Sequence, residues 1–204
     1  MFARELELWE GGARLVAGLD EVGRGPLAGP VFAACVVFPP GLTLEGLADS
    51  KAISARRRET LAAVIFRKAL AVGLGAASPA EIDHINILKA THLAMRRALA
   101  SLGLRPEIVL VDGLAAALGD VAQVPIVGGD ATCASIAAAS IIAKVTRDSL
   151  MRSLSELFPG YGFERNKGYG TREHLAALSQ MGPSPVHRRS FSPVAAPLLP
   201  GMVG

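Results

Sequence analysis

Three short apolar runs in this chain each finish on carboxylate, and that repeated ending limits the possible folds more than any other feature. Leu15-Val-Ala-Gly-Leu19 leads into Asp20 and Glu21, Ile108-Val-Leu-Val111 into Asp112, and Val124-Pro-Ile-Val-Gly-Gly129 into Asp130. Runs of this length, rich in branched aliphatics and bounded by glycine or proline, read as strands. Strands that stop together at one sheet edge would gather the four acids, and gathered acids repel unless a cation lies between them. Hard divalent ions suit an all-oxygen site and keep waters or substrate phosphate as further ligands. The pattern points to a metal-dependent phosphodiesterase. A lone Asp at a strand end is ordinarily a turn former, but three such ends in one small chain ask for a common cause. Adjacent Asp20 and Glu21 would face opposite sides of a regular strand, so their joint use requires a bulge, a strand-end twist or a Glu21 that reaches around.

The chain must also bury a core around those strands. With 204 residues, half of them apolar and 19% charged, it is long enough for one compact domain. We expect residues 1–192 to form that domain and 193–204 to be a loosely ordered tail. The longest apolar stretches, Val31–Pro40 and Ala131–Ala143, fall short of the roughly 18 residues a membrane span needs. The opening Met1-Phe-Ala-Arg-Glu-Leu-Glu-Leu carries two acids and does not read as a secretory signal. Cys35 and Cys133 lie in apolar runs without Cys-x-x-Cys spacing, which suits buried reduced thiols. A cytoplasmic, membrane-free monomer is the default expectation. From Ala131 onward there are eight Lys/Arg against four Asp/Glu, so the C-terminal third supplies the basic surface and a polyanion is a plausible partner.

Strands are expected at Arg14–Asp20, Pro30–Phe38, Ala69–Ala76, Glu107–Val111 and Val121–Val127. Helices are expected at Ser54–Leu70 with Ser54 as N-cap, after Ser78-Pro79, at Asn86–Leu102, and from Thr132 to Leu157. Ala134, Ala137, Ala138 and Ile141 recur at helical spacing and would let the last helix lie close against a sheet. The first two strands are near enough in sequence to be antiparallel neighbours, and the last two follow connections long enough for parallel crossovers. The result is an α/β fold with a mixed sheet and the carboxylates at one end of it. Arg56-Arg57-Arg58 is unfavourable in the first turn of a helix; a solvated end is preferred here over a nearby anion.

Gly23-Arg24-Gly25-Pro-Leu-Ala28 matches a dinucleotide fingerprint on paper, but that fingerprint must open a helix and this one runs into a strand. It reads better as a glycine-rich turn whose backbone can approach a sugar-phosphate chain, with Arg24 beside the acidic pair. Lys144, Arg147, Asp148 and Met151 share one side of the last helix, so Asp148 either joins the acids or pairs with a neighbouring cation. Tyr161 to His174 holds both tyrosines, interleaved with glycines and cations. Tyr161 and Phe163 are expected to be core, and Tyr169 a platform for stacking on a sugar or base. His187-Arg188-Arg189 is either a phosphate contact or a solvated basic turn.

Together, Asp20-Glu21-Val-Gly23-Arg24-Gly25-Pro-Leu-Ala-Gly-Pro30, Asp49-Ser50-Lys51, Asn86-Ile-Leu-Lys-Ala-Thr91, Val111-Asp112-Gly113, Gly129-Asp130 and the run from Ser135 to Asp148 resemble ribonuclease HII. So do Lys167-Gly-Tyr169-Gly-Thr171 and His187-Arg188, and the correspondence runs in order from about residue 14 to residue 193. The resemblance implies the ribonuclease H-like fold, a five-stranded mixed sheet flanked by helices, with a small helical C-terminal extension. It implies an endoribonuclease that cuts the RNA strand of RNA–DNA hybrids and nicks 5′ of single ribonucleotides in duplex DNA. By motif, Asp20, Glu21, Asp112 and Asp130 take the catalytic, metal-binding positions for two Mg²⁺ or Mn²⁺ ions. Gly23, Arg24 and Gly25 match the loop that recognises the ribonucleotide 2′-hydroxyl, and Tyr169 matches the tyrosine that stacks at the RNA–DNA junction. Lys51, Lys144 and Arg147 fall at positions expected near phosphates. Two positions depart from the pattern: Ala52 where a second lysine is common, and Asn166 where a histidine commonly precedes Lys-Gly-Tyr. The alternatives are a hybrid-binding module that does not cleave, against which four intact carboxylates speak, and a resolvase-like nuclease, against which the Gly-Arg-Gly loop and Tyr169 speak.

Overall fold

A computed structural model of the chain describes residues 1–44, 46–47 and 54–195. In order, the elements are α1 (Ala3–Glu10), β1 (Val16–Val22), β2 (Val31–Val37), α2 (Ala55–Lys68), β3 (Ala71–Ala77), α3 (Pro79–Ile85) and α4 (Ile87–Ala100). They continue with β4 (Ile108–Asp112), β5 (Ala122–Ile126), α5 (Gly129–Thr132), α6 (Ala134–Leu157), α7 (Phe163–Asn166) and α8 (Arg172–Met181). The five strands form one sheet in the order β3-β2-β1-β4-β5. β1 pairs antiparallel with β2, which pairs antiparallel with β3, while β1–β4 and β4–β5 are parallel. This is the mixed sheet expected from the sequence.

Period-two alternation divides the core between the two faces of the sheet. Val31, Ala33, Cys35 and Val37 of β2 pack with Ala90, Ala94, Met95 and Ala98 of α4, whereas Ala34 and Val36 pack with α2 and with Ala134, Ala137, Ala138 and Ile141 of α6. Both cysteines are buried and unpaired. Small residues let the helices come very close. A Cβ placed on Gly18 would lie 2.1 Å from the Ser135 carbonyl carbon, and one on Gly73 or Gly75 would lie 2.1 Å from the Ala98 or Ala94 carbonyl oxygen. Thus α6 rests on β1, and α4 on β3, with backbone against backbone.

The helix starts follow the capping chemistry written in the sequence. Ser54 accepts from the Arg57 amide, and Ser78 and Glu81 form a capping box with Pro79 in the first turn. Asn86, at φ +68°, accepts from the Lys89 amide and opens α4. The N-cap of α6, Cys133, makes no side-chain cap bond of its own. Glu5, buried on α1, supplies one instead, accepting from the Ser135 amide at 2.8 Å and from its hydroxyl at 2.6 Å.

Two boundaries differ from expectation. The stretch from residue 129 forms two helices, because Cys133 is extended at φ −112°, ψ 128° between α5 and α6. β1 does not stop at the acids: its one-for-one register with β2 continues to Val22↔Phe32, with no bulge, while its pairing with β4 ends at Leu19↔Val111. Asp20 and Glu21 therefore sit in a regular strand that has lost one neighbour. Among the described residues no helix is long and apolar enough to cross a membrane.

The close approach at Gly18 gives a test. Gly18→Ala should destabilise the fold by about 2–3 kcal/mol, since main-chain atoms rather than a mobile side chain must move. The melting temperature should fall by roughly 4–10 °C.

Candidate active site

Where β1 parts from β4, the sheet opens at the carboxyl ends of its parallel strands, the usual place for a site in such sheets. A cleft of about 310 Å³ lies there, lined by Asp20, Glu21, Asp112 and Asp130 together with Val22, Arg58, Ser140, Ile141 and Lys144. All four expected carboxylates thus border one space, although they come from β1, β4 and α5. Both members of the Asp20–Glu21 pair border it without a bulge, the first of the three ways the sequence allowed. With β4 absent beside them, Asp20 is 6% exposed and Glu21 lies at the cleft rim.

The electrostatics of the cleft follow from burial. Desolvation, followed by the neighbouring charges of Glu21 and Asp112, pushes Asp20 up to about 7, against the lowering effect of bonds from Ser140 and the Glu21 amide. Asp112 accepts from the Gly129 amide at 2.7 Å, which fixes its carboxylate against the turn that carries Asp130. A Cβ on Gly129 would lie 3.4 Å from that same Asp112 oxygen and 2.5 Å from Ile136 Cδ1, so a side chain there would have to displace the Ile136 tip. Glu21 accepts from Arg24 at 3.2 Å. Among the described residues, no three His, Cys, Asp or Glu side chains close into a finished metal cage. The four carboxylates ring an open cleft instead. An all-oxygen, partly open set with a carboxyl whose charge is disfavoured by its surroundings fits a divalent ion that retains waters and substrate oxygens.

Two cations complete the rim. Lys144 lies in the cleft and bonds Asp148 at 2.7 Å, so Asp148 is the partner of a lysine rather than a fifth cleft acid. Arg58 also lines the cleft. For this member of the Arg56–Arg58 triplet, the solvated end expected from the sequence is replaced by an acidic neighbourhood. The signal was there in three cations at the wrong end of a helix dipole. Lys51 lies outside the described residues, as do Asp49, Ser50 and Ala52.

Beside the cleft, the Gly23–Pro30 loop and the C-terminal extension are laced together. The Leu27 amide donates to Gly168 at 2.8 Å, Gly29 donates to Val186 at 2.9 Å, and the Arg188 amide donates to Leu27 at 2.8 Å. Arg24, Gly25 and Tyr169 are exposed, and a Cβ on Gly25 would lie 3.7 Å from Tyr169 Cε1. The tyrosine ring and the glycine loop, far apart in sequence, therefore share one surface. Tyr161 and Phe163 are core and stack at 5.3 Å between ring centroids. Asn166, the departure from the family pattern, is buried; it donates to the Tyr161 carbonyl and accepts from the Gly168 amide, bracing the turn before Tyr169.

Arg147 and Arg188 are placed differently from expectation. Both are fully buried, and their guanidiniums end on backbone carbonyls. Arg147 as placed presents no surface to a phosphate, and the His187-Arg188 stretch is neither a solvated turn nor an exposed contact. The nearby histidines form a buried pair. The Ser184 amide donates to His187 Nδ1, so neutral His187 carries its proton on Nε2 and gives it to His174 Nε2 at 3.0 Å. His174 in turn donates from Nδ1 to the Tyr169 carbonyl at 2.8 Å. Burial, then the charges of His174 and Arg189, pushes His187 down to about 4.

These features can be set beside known proteins. The crystal structure of the ribonuclease H2 from Pyrococcus horikoshii OT3 is similar with a TM-score of 0.74 and 27% identity, over 89% of this chain and 95% of that one. The fold and its edge of carboxylates thus define a ribonuclease H-like nuclease. Ribonuclease HII from Moorella thermoacetica is 54% identical over 94% of this chain and 93% of its own length. Ribonuclease HII from Desulfitobacterium hafniense is 53% identical over 95% and 75%. Residues 17–194 match the Ribonuclease HII family, and the chain belongs to it. It is accordingly a metal-dependent endoribonuclease of the ribonuclease H type.

The histidine pair predicts a pH effect. A histidine whose folded pKa lies below its unfolded value of roughly 6.5 gives stability that is fully present above that pH and lost as pH falls toward the folded value. Between pH 6.5 and about 4, wild type should lose at least about 4 °C more in melting temperature than His187→Gln, in which that titration is absent. Parallel melting curves across this window measure it.

Proposed function

We propose that the enzyme nicks duplex DNA on the 5′ side of a single embedded ribonucleotide, and cuts longer RNA–DNA hybrids, leaving 5′-phosphate and 3′-hydroxyl ends. What supports this reading is one juxtaposition: the exposed Gly25 backbone and the Tyr169 ring share a surface beside a cleft ringed by four carboxylates. A ribose must be told from a deoxyribose by its 2′-hydroxyl. A side-chain-free backbone can approach that hydroxyl closely, while a tyrosine face stacks on the adjoining nucleotide whatever its base. A general phosphodiesterase would gain nothing from this pairing.

In this reading Asp20, Glu21, Asp112 and Asp130 would hold two Mg²⁺ or Mn²⁺ ions. Bound there, the ions would supply Lewis acidity, lowering the pKa of water and offsetting charge on the departing 3′-oxygen. The protein's own groups do the placing. Ser140 and the Glu21 amide hold Asp20, the Gly129 amide holds Asp112, and Lys144 and Arg58 bring positive charge to a rim that must admit phosphate. Arg24, tied to Glu21, links the loop that reads the sugar to the carboxylates that position the phosphodiester. Among the described residues no histidine lines the cleft, so none is assigned as general base. Excision of misincorporated ribonucleotides from DNA is the role this substrate implies.

The test is cleavage of a DNA duplex carrying one ribonucleotide, in Mg²⁺ or Mn²⁺, with an all-DNA duplex as control. We expect a single nick 5′ of the ribonucleotide, abolished by EDTA and reduced at least about 100-fold in Asp112→Asn and Asp130→Asn with folding retained. Tight binding without cleavage in either metal would instead identify a hybrid-binding module.

A further inference from the structure

Arg147 and Arg188 come from unconnected parts of the chain, α6 and the stretch after α8, yet both lie fully buried under the same loop. Arg188 donates through Nε to Gly29 O at 2.9 Å, through Nη1 to Arg24 O at 2.8 Å and through Nη2 to Gly23 O at 2.6 Å. Arg147 donates through Nε to Pro30 O at 3.2 Å, through Nη2 to Ala28 O at 3.1 Å and through Nη1 to Lys167 O at 2.9 Å. Five of the eight carbonyls from Gly23 to Pro30 therefore end on guanidinium, and a sixth, that of Leu27, takes the Arg188 amide. By contrast, no protein acceptor among the described residues meets the amides of exposed Arg24 and Gly25.

We propose that Arg147 and Arg188 are positioning residues that hold the Gly23–Pro30 loop by its carbonyls from beneath and thereby set its selectivity for the sugar. This rests on the reading that the loop recognises a ribonucleotide. Two like charges buried side by side are costly, and apolar residues of similar size would often serve plain stability as well or better. What apolar residues cannot do is specify the direction of five peptide groups. A guanidinium offers donors in a rigid planar fork, whereas an ammonium offers three on one freely turning point. The loop is also seated directly on the clamp: at Gly23, φ +88°, a Cβ would lie 2.2 Å from Arg147 Nε. With its carbonyls drawn inward, the loop can present amides on its outer face, where Gly25 meets Tyr169. Lys167, whose carbonyl is the sixth guanidinium partner, stands two residues before that tyrosine, so the clamp ties both recognition elements to one base.

The experiment compares cleavage of duplexes that carry either a ribonucleotide or a 2′-fluoro-2′-deoxynucleotide at one position, by wild type and by Arg188→Lys, Arg188→Gln, Arg147→Lys and Gly23→Ala. The last variant keeps both arginines but sets a Cβ against the Arg147 side chain, so that loop and clamp are forced apart. Each is assayed below its own melting temperature, with folding checked by circular dichroism. The ratio of kcat/KM values for the two sugars should fall between about 10- and 100-fold in the arginine variants. Arg188→Lys should retain more of it than Arg188→Gln, and Gly23→Ala should show the same loss. A smaller folded fraction alone would lower kcat on both duplexes equally and leave the ratio intact. Wild type that fails to favour the ribonucleotide would sink the underlying reading. Wild type that discriminates, with folded variants that keep its ratio, would sink this inference alone. Failure of all four variants to fold at 10 °C would also overturn it, by making the clamp a stability element.

Discussion

Everything near the site depends on how closely α6 can lie on β1. Contact of the Ser135 main chain with Gly18, where no Cβ intervenes, puts the helix axis near the sheet and fixes its rotation. From that seat the residues that follow are distributed along its length. Ser140 reaches Asp20, Lys144 borders the cleft, Asp148 pairs with Lys144, and Arg147, one turn beyond, passes beneath the glycine loop. Glu5 fastens the helix start from α1. A displacement of α6 would move acids, cations and loop together, because one rigid rod carries a contact to each.

The molecule also separates its charges by depth. Carboxylates stand at an open sheet edge, where repulsion among Asp20, Glu21 and Asp112 can be relieved by an incoming cation. Arginines lie sealed behind, where peptide dipoles rather than counter-ions surround them. The first arrangement stores a demand for metal. The second converts positive charge into backbone direction. Between them, Arg24 faces solvent with Glu21 as partner, and Tyr169 lies exposed beside Gly25, so that exposed surface is itself held from both sides.

Much of this was legible in residue order. Strand-end acids at Asp112 and Asp130 marked the edge because, with Asp20, they made three such endings in one small chain, where each alone would have been an ordinary turn former. Ser54, Ser78 and Asn86 announced three helix starts through local capping, which needs no distant partner. Alanine spacing in α6 announced a helix that hugs a sheet, and the exposure of Tyr169 followed from its flanking glycines.

Other facts depended on residues far apart in the chain. Alternation along β1 predicted that Asp20 and Glu21 would diverge. They share a cleft because β4 stops pairing at Leu19, a property of the neighbouring strand. Arg58 looked like a poorly placed surface cation, and only the packing of α2 brings it to the acids. The family resemblance put Arg147 near phosphates, and the sequence left Arg188 open between a phosphate contact and a solvated turn. Their burial and their carbonyl partners arise from three segments folding over each other, and no local rule encodes that. By itself the sequence determined the five strands, the helix starts at Ser54, Ser78 and Asn86, the family and the acids that end the strands, since these rest on short-range periodicity and motif. Tertiary structure alone decided which charges face substrate and which face backbone, because burial and direction belong to neighbours that the chain order does not place side by side.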